Sequence, residues 1–264
     1  MSHLLSITRR ELYGLLTQRW VLILLAFMGM ELLMGAGTRL NNADWFDLSN
    51  AAVTLAFLGS LSMMGLSLDA VARERSSGAM DLMLTRPVSR RSVVVGKLLA
   101  YLIVSVPVAL AALLLPLALA ALLGVPANFD KLPLSLVVPG SILFLWFFSA
   151  VGVAVSLFCR TLQSAFAVGG AIWVVTSPLV WQFLVLRGLQ RLVSPDALAW
   201  LNVANPMGAY FSTIHFVGSF GGDPFMGPSA PTWLAYVVLG LEFALVSLFA
   251  LLLFDRQEEP GYQS

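Results

Sequence analysis

The chain has 264 residues, 59% hydrophobic and only 11% charged, with a formal net charge of +1. A charged fraction less than half the ~25% of soluble domains leaves too little polar surface for a water-soluble globule, and so much apolar area excludes intrinsic disorder. The single cysteine, Cys159, allows no internal disulfide scaffold, and near-neutrality removes the global basic footprint that nucleic acid requires.

In chain order, residues 3–19 form an amphipathic stretch. At 100° per residue Leu4, Leu5, Leu12, Leu15 and Leu16 share an arc of about 120°, with Arg10, Tyr13 and Thr17 opposite. Such a helix lies on the cytoplasmic leaflet and turns upward at Trp20; docking on a partner protein is the alternative. Six runs then reach the ~20 apolar residues that a spanning helix needs: 20–37, 51–71, 98–123, 134–158, 165–186 and 233–254. Outer-membrane strands would alternate polar and apolar residues in segments of about ten, which these runs do not. Glu31 interrupts the first run, which reads as a retained span rather than a cleaved signal.

Basic residues orient the stack. With the amino terminus in the cytoplasm, the inner segments hold Arg9, Arg10, Arg19, Arg73, Arg75, Arg86, Arg90, Arg91, Lys97, Arg160 and Arg256. The outer segments hold only Arg39, Lys131, Arg187 and Arg191, so the positive-inside rule places both termini in the cytoplasm. The inner loop, 72–97, carries six of the eleven inner basic residues. The outer segment, 187–232, contains Tyr210, Phe211, Phe216, Phe220, Phe225 and Met226, and such aromatics in water would be costly. Part of it is therefore expected to dip into the bilayer or cap the bundle. The expected fold is an all-α integral membrane protein: a six-helix transmembrane bundle with an amino-terminal interfacial helix and a partly membrane-embedded outer segment between the fifth and sixth helices. The whole chain, 1–264, is expected to form one transmembrane domain.

Catalytic motifs are missing. His3 and His215 are too far apart in sequence to suggest a helical zinc pair, and neither HExxH nor GxSxG occurs. Gly221-Gly222-Asp223-Pro224 reads as a turn. Gly96-Lys97 lacks both the upstream glycine and the following Ser/Thr of a phosphate-binding loop, so the chain binds no ATP by that route. Glu31 and Glu242 fall within spans, where an ionised side chain costs at least ~3 kcal/mol. They either line a substrate or proton path or are protonated acids bonding between helices. Met28, Met30 and Met34 beside Glu31, with Met63 and Met64, could offer thioethers to a soft metal, but gap-filling is the favoured reading and no metal site is assigned. Asp69 is expected to pair with Arg73 at the inner interface, and Pro107, Pro116 and Pro178 are expected to kink their helices.

The inner loop runs Arg73-Glu74-Arg75-Ser76-Ser77-Gly78-Ala79-Met80-Asp81-Leu82-Met83-Leu84-Thr85-Arg86-Pro87-Val88-Ser89-Arg90, then Val95-Gly96-Lys97. This resembles the cytoplasmic loop of type-2 ABC transporter permeases: Glu, Gly-Thr, a leucine-rich turn, Thr-x-Pro-x-Ser/Gly-Arg and Gly-Lys. Ala79 stands where that pattern has Thr. Arg10-Glu11-Leu12 through Arg19-Trp20 is similar to the family's interfacial helix, and Asn205-Pro206-Met207-Gly208-Ala209-Tyr210 to its Asn-Pro-x-x-x-Tyr element. The likeness is nearest to the gliding-motility and copper-processing (nitrous-oxide reductase maturation) branch.

The resemblance implies a non-enzymatic exporter subunit in a bacterial cytoplasmic membrane, with a second copy of itself, surrounding lipid and two copies of a separate ABC ATPase as partners. That ATPase would hold ATP and Mg; this chain would bind no cofactor. A coupling helix would dock on it through Glu74, Arg75, Gly78, Met80, Asp81, Leu82, Met83 and Leu84. Asn205, Pro206 and Tyr210 would belong to an outer lid, and Glu31, Glu242, Met28 and Met34 to a substrate path. The competing readings are a proton-coupled secondary transporter using Glu31 and Glu242, a non-transporting component of an ATPase-driven assembly, and an intramembrane enzyme. Secondary transport is weakened by the lack of an inverted repeat, and the enzyme has no nucleophile–base pair.

Overall fold

The computed structural model describes residues 2–16, 46–76, 90–122, 124, 127–128, 134–159, 161–177, 180–189, 191–214, 219–220, 223–224 and 231–256. The expected first span, 20–37, lies outside them. Helix α1 is Ser2–Leu16. Helix α2, Leu48–Thr54, runs through a π turn, Leu55–Gly59, into α3, Ser60–Ser76. Then come α4, Arg90–Leu122, and α5, Leu134–Phe158. Helix α6 is Leu162–Thr176, followed by a second π turn, Trp181–Leu186, and the short α7, Arg187–Leu189. The outer helices α8, Pro195–Val203, and α9, Pro206–Thr213, precede the last helix α10, Thr232–Arg256.

The described residues are mostly helical, and two ladders of two residues each lie among them. Strand β1, Phe46–Asp47, runs parallel to β2, Ala127–Asn128. Strand β3, Ser219–Phe220, pairs antiparallel with β4, Asp223–Pro224; Gly221 and Gly222 of the expected turn lie outside the described residues.

Among the described residues, four helices are long and apolar enough to cross a membrane: Ala51–Glu74, Arg91–Ala118, Leu134–Phe158 and Thr232–Phe254. Where a continuous fifth span was expected over 165–186, the helix stops at Thr176. Ser177 adopts ψ 149°, the extended conformation forced on a residue that precedes proline. Helices α3 and α4 also reach into the expected inner loop, leaving only 77–89 between them and outside the described residues. Helix α4 runs on through Pro107 and Pro116.

Local chemistry sets several helix starts. Thr161 caps α6 in a reciprocal box with Ser164, and Ser194 caps α8 ahead of Pro195. Helix α5 is the hub, packed by α3, α4, α6, α9 and α10. Its small residues allow this. A Cβ at Gly152 would sit 2.7 Å from the Met64 carbonyl oxygen, and one at Gly140 would sit 3.1 Å from Thr213 Oγ1. Phe144, Leu145 and Phe148 fill the core between them. Helix α10 is peripheral and exposes Trp233, Val237, Leu241, Leu245, Leu248 and Leu252 along one face.

A backbone contact through glycine leaves no room for a methyl group. Gly152→Ala should therefore lower thermal stability by about 1–3 kcal/mol through overpacking. At Gly170, where an added Cβ meets nothing within 4 Å, alanine should be neutral or raise stability by up to ~1 kcal/mol through helix propensity. Melting of the purified variants in one detergent checks the contrast.

Candidate functional site where the first helix meets the bundle

Helix α1 lies against the first turns of α4, and the fit begins at Gly96. A side chain there would meet Ile7 Cγ2 at 2.7 Å, so its absence lets the two helices close. Leu15 and Thr8 are buried, whereas Leu5 and Tyr13 are exposed. The expected apolar arc of α1 is thus divided: Leu15, backed by Leu12, packs on the chain's own core, and Leu5 points away.

One residue beyond Gly96, Lys97 is 1% exposed, and three oxygen atoms surround its ammonium. Glu11 Oε2 and the Ala70 carbonyl each accept a hydrogen bond at 2.9 Å, and Glu74 Oε2 lies 3.0 Å away. Three acceptors match the three N–H groups of a lysine. Arg10 closes the ring, at 2.8 Å from Glu11 Oε1 and 3.0 Å from Glu74 Oε1. Two cations and two carboxylates therefore balance, with α1 supplying Arg10 and Glu11, α3 supplying Glu74 and α4 supplying Lys97. One helical turn on, the Tyr101 hydroxyl donates to the Leu66 carbonyl at 3.1 Å. Burial by itself would raise the Glu11 carboxyl; Lys97 and then Arg10 outweigh it and hold its pKa below 4.5.

Beside this cluster, Asp69 is 5% exposed and lies 3.1 Å from Arg73 Nε, the pair that the sequence suggested. The approach is close enough for an ion pair but not aligned for a hydrogen bond, and among the described residues neither Asp69 oxygen has a hydrogen-bond partner.

The expected coupling residues divide in two. Glu74 sits inside the ion cluster, a role that a reading of it as a docking contact did not foresee. Arg75 follows it in the last turn of α3. Gly78, Met80, Asp81, Leu82, Met83 and Leu84 lie outside the described residues, as do Met28, Glu31 and Met34. Glu242 stands on α10 with Oε2 buried and no hydrogen-bond partner among the described residues. Its neighbour Phe243 packs on Trp146 with ring centroids 3.8 Å apart. Met63 and Met64 are buried in the apolar core.

At the other end of the bundle, Asn205 Oδ1 accepts from the N–H groups of Met207 and Gly208 at 2.9 and 3.2 Å, capping α9 with Pro206 in its first turn. Tyr210 is fully buried, stacked on Phe144 at 4.4 Å and hydrogen-bonded to Ser141 at 2.8 Å. Asn205, Pro206 and Tyr210 thus hold a buried helix between α5 and α10.

Sequence reasoning missed the role of Lys97, having weighed Gly96-Lys97 only as a phosphate-loop remnant and a family motif. The available signal was a lysine amid Val93-Val94-Val95 and Leu98-Leu99, where a buried counter-charge is needed.

A family model described as ABC-2 family transporter protein matches residues 5–258. No curated protein matches the chain.

Removing both carboxylates, Glu11→Gln with Glu74→Gln, strands the Lys97 charge and should destabilise the protein by about 3–5 kcal/mol. Adding Lys97→Met to that pair should recover most of the loss, as chemical denaturation would show. Because the folded pKa of Glu11 lies below its unfolded value, the stability it contributes is complete above pH 4.5 and vanishes as the pH falls through the lowered value. Spin labels at Leu5 and Ile103 should accordingly separate on acidification below that point, and Glu11→Gln should remove the transition.

Proposed function

The chain belongs to the ABC-2 transporter family, and on that premise we propose that it is the membrane-spanning permease subunit of an ATP-binding-cassette exporter. A second copy of the chain completes the route, and two copies of a separate ATPase power it. Substrate would cross the bacterial cytoplasmic membrane by alternation between inward- and outward-facing forms. The observation that supports this beyond family membership is the Lys97 cluster. The segment 77–89 follows α3, which ends two residues after Glu74, and precedes α4, which begins two turns before Lys97, so the cluster ties the two helices that flank it to α1. A motor pressing on 77–89 would then move three helices as one body rather than bend a loose loop.

In this reading Met80, Leu82, Met83 and Leu84 offer apolar contacts to a groove on the ATPase, and Asp81 offers charge. Glu74 serves the internal tie. The six-span topology, with both termini in the cytoplasm and α1 at the membrane surface, belongs to the same proposal. So does α9 as part of the outer closure, and so does the gliding-motility or copper-processing branch. A proton-driven alternative draws on the unpartnered Oε2 of Glu242; it requires uptake by the chain alone in vesicles with a pH gradient and no nucleotide.

Affinity purification of the full-length chain from its native membrane should retain an ABC ATPase. The nucleotide turnover of that complex should fall at least about tenfold in an Asp81→Lys, Met83→Asp variant that still assembles. Unchanged turnover would remove 77–89 as the coupling segment. Absence of any ATPase, together with proton-driven uptake, would overturn the exporter reading.

A further inference from the structure

Helix α3 has a stretch at which three side chains from other helices enter its backbone. The Tyr101 hydroxyl donates to the Leu66 carbonyl at 3.1 Å and Lys97 Nζ to the Ala70 carbonyl at 2.9 Å. On the other side, Ser156 Oγ accepts from the N–H groups of Val71 and Ala72 at 3.0 and 2.9 Å. In a regular helix those carbonyls would take the N–H groups of Ala70 and Glu74, and those N–H groups would reach the carbonyls of Ser67 and Leu68. Four backbone groups within residues 66–72 therefore have a second partner that is not part of the helix.

This is unusual because of the solvent. In a low-dielectric interior, opening a helical turn strands N–H and C=O groups, which keeps most spanning helices rigid. Side-chain insertion into the hydrogen-bond ladder is one of the few physical causes of a bend. Here the replacements are already in position, from α4 for the carbonyls and from α5 for the N–H groups. Ser67 adds a local bond from its hydroxyl to the Met64 carbonyl at 2.8 Å, a pattern that bends helices. Small residues grip the same stretch: a Cβ at Gly152 would meet the Met64 carbonyl oxygen, and one at Gly169 would meet Leu68 Cδ1 at 2.7 Å. The Asp69–Arg73 ion pair spans the turn along the helix surface.

The outer part of α3 is held differently. Trp173 Nε1 donates to Ser60 Oγ at 2.9 Å, and Leu145 lies against Gly59. No side chain of another helix is hydrogen-bonded to the backbone of residues 61–65 among the described residues.

We propose that residues 66–72 are a hinge in the inner end of this membrane helix. Tyr101, Lys97 and Ser156 are its bearing: they hold the backbone groups that the turn releases as it opens. Movement at the Ser76 end then becomes a change of tilt of the inner segment, while Ser60 stays anchored to Trp173. Tyr101, Lys97 and Ser156 are positioning residues and touch no substrate. The hinge is a property of the folded chain and does not depend on what drives it, so it stands or falls separately from the exporter reading.

Residue-resolved amide exchange of the full-length chain in lipid nanodiscs tests this. A hinge gives local maxima at Ala70 and Glu74, the amides whose carbonyl acceptors pass to Tyr101 and Lys97, exchanging at least about fivefold faster than 61–66 and than Val71 and Ala72, which Ser156 holds. Ser156→Ala should abolish those maxima, because the opened turn loses its acceptor, and Ser156→Thr should keep them. Uniform protection along 61–76, or exchange rising steadily toward Ser76 as in simple fraying, would overturn the proposal. So would maxima that Ser156→Ala leaves in place or enlarges. The wild-type profile decides the matter by itself if the alanine variant does not fold.

Discussion

A buried ammonium must find oxygen for every N–H it carries, and one end of this helix bundle is organised around that requirement. Lys97 has almost no contact with solvent, and no single neighbouring helix supplies its three acceptors. Glu11 comes from α1, while the Ala70 carbonyl and Glu74 come from α3. Removal of one of them leaves a charge in a medium that solvates it poorly, so the three helices are held in one arrangement. Gly96 is the steric counterpart: without a side chain there, α1 comes close enough for Glu11 to reach Lys97.

The outer end obeys a different rule. Its segment is apolar and aromatic, and burial rather than charge holds it. Asn205 satisfies the free N–H groups at the start of α9, which lets a short helix sit inside the protein without unpaired donors. Tyr210 then combines a stacked ring with one hydrogen bond to Ser141. The two ends of the bundle are therefore held differently, one by charges and hydrogen bonds and the other by packing. Helix α5 connects them, since its glycines and serines admit neighbours along its whole length.

Several of these features were legible residue by residue. Four of the six long apolar runs are found among the described residues as helices long and apolar enough to cross a membrane, since a helix satisfies its own backbone in lipid. Asp69 and Arg73 are four apart on one helix, so their pairing follows from helical geometry alone. The inner loop was legible only in part. Its charged residues read as contacts for a partner, yet the flanking helices extend to Ser76 and from Arg90, and they bring Glu74 back toward Lys97. The break at Ser177 was written in Pro178, but an apolar run on both sides conceals it, since hydropathy does not register a lost backbone donor.

The sequence by itself determined the solvent of this protein and the four described helices that are long and apolar enough to cross a membrane. Those properties depend on composition and on neighbours within a few turns. The tertiary structure alone decided which charges meet. Glu11 and Lys97 are 86 residues apart, and Tyr101 and Ser156 enter a helix to which neither belongs. Periodicity describes what lies along one helix and carries no term for rotation or height between two. Those two quantities are set by where glycine permits contact and where a buried charge demands it.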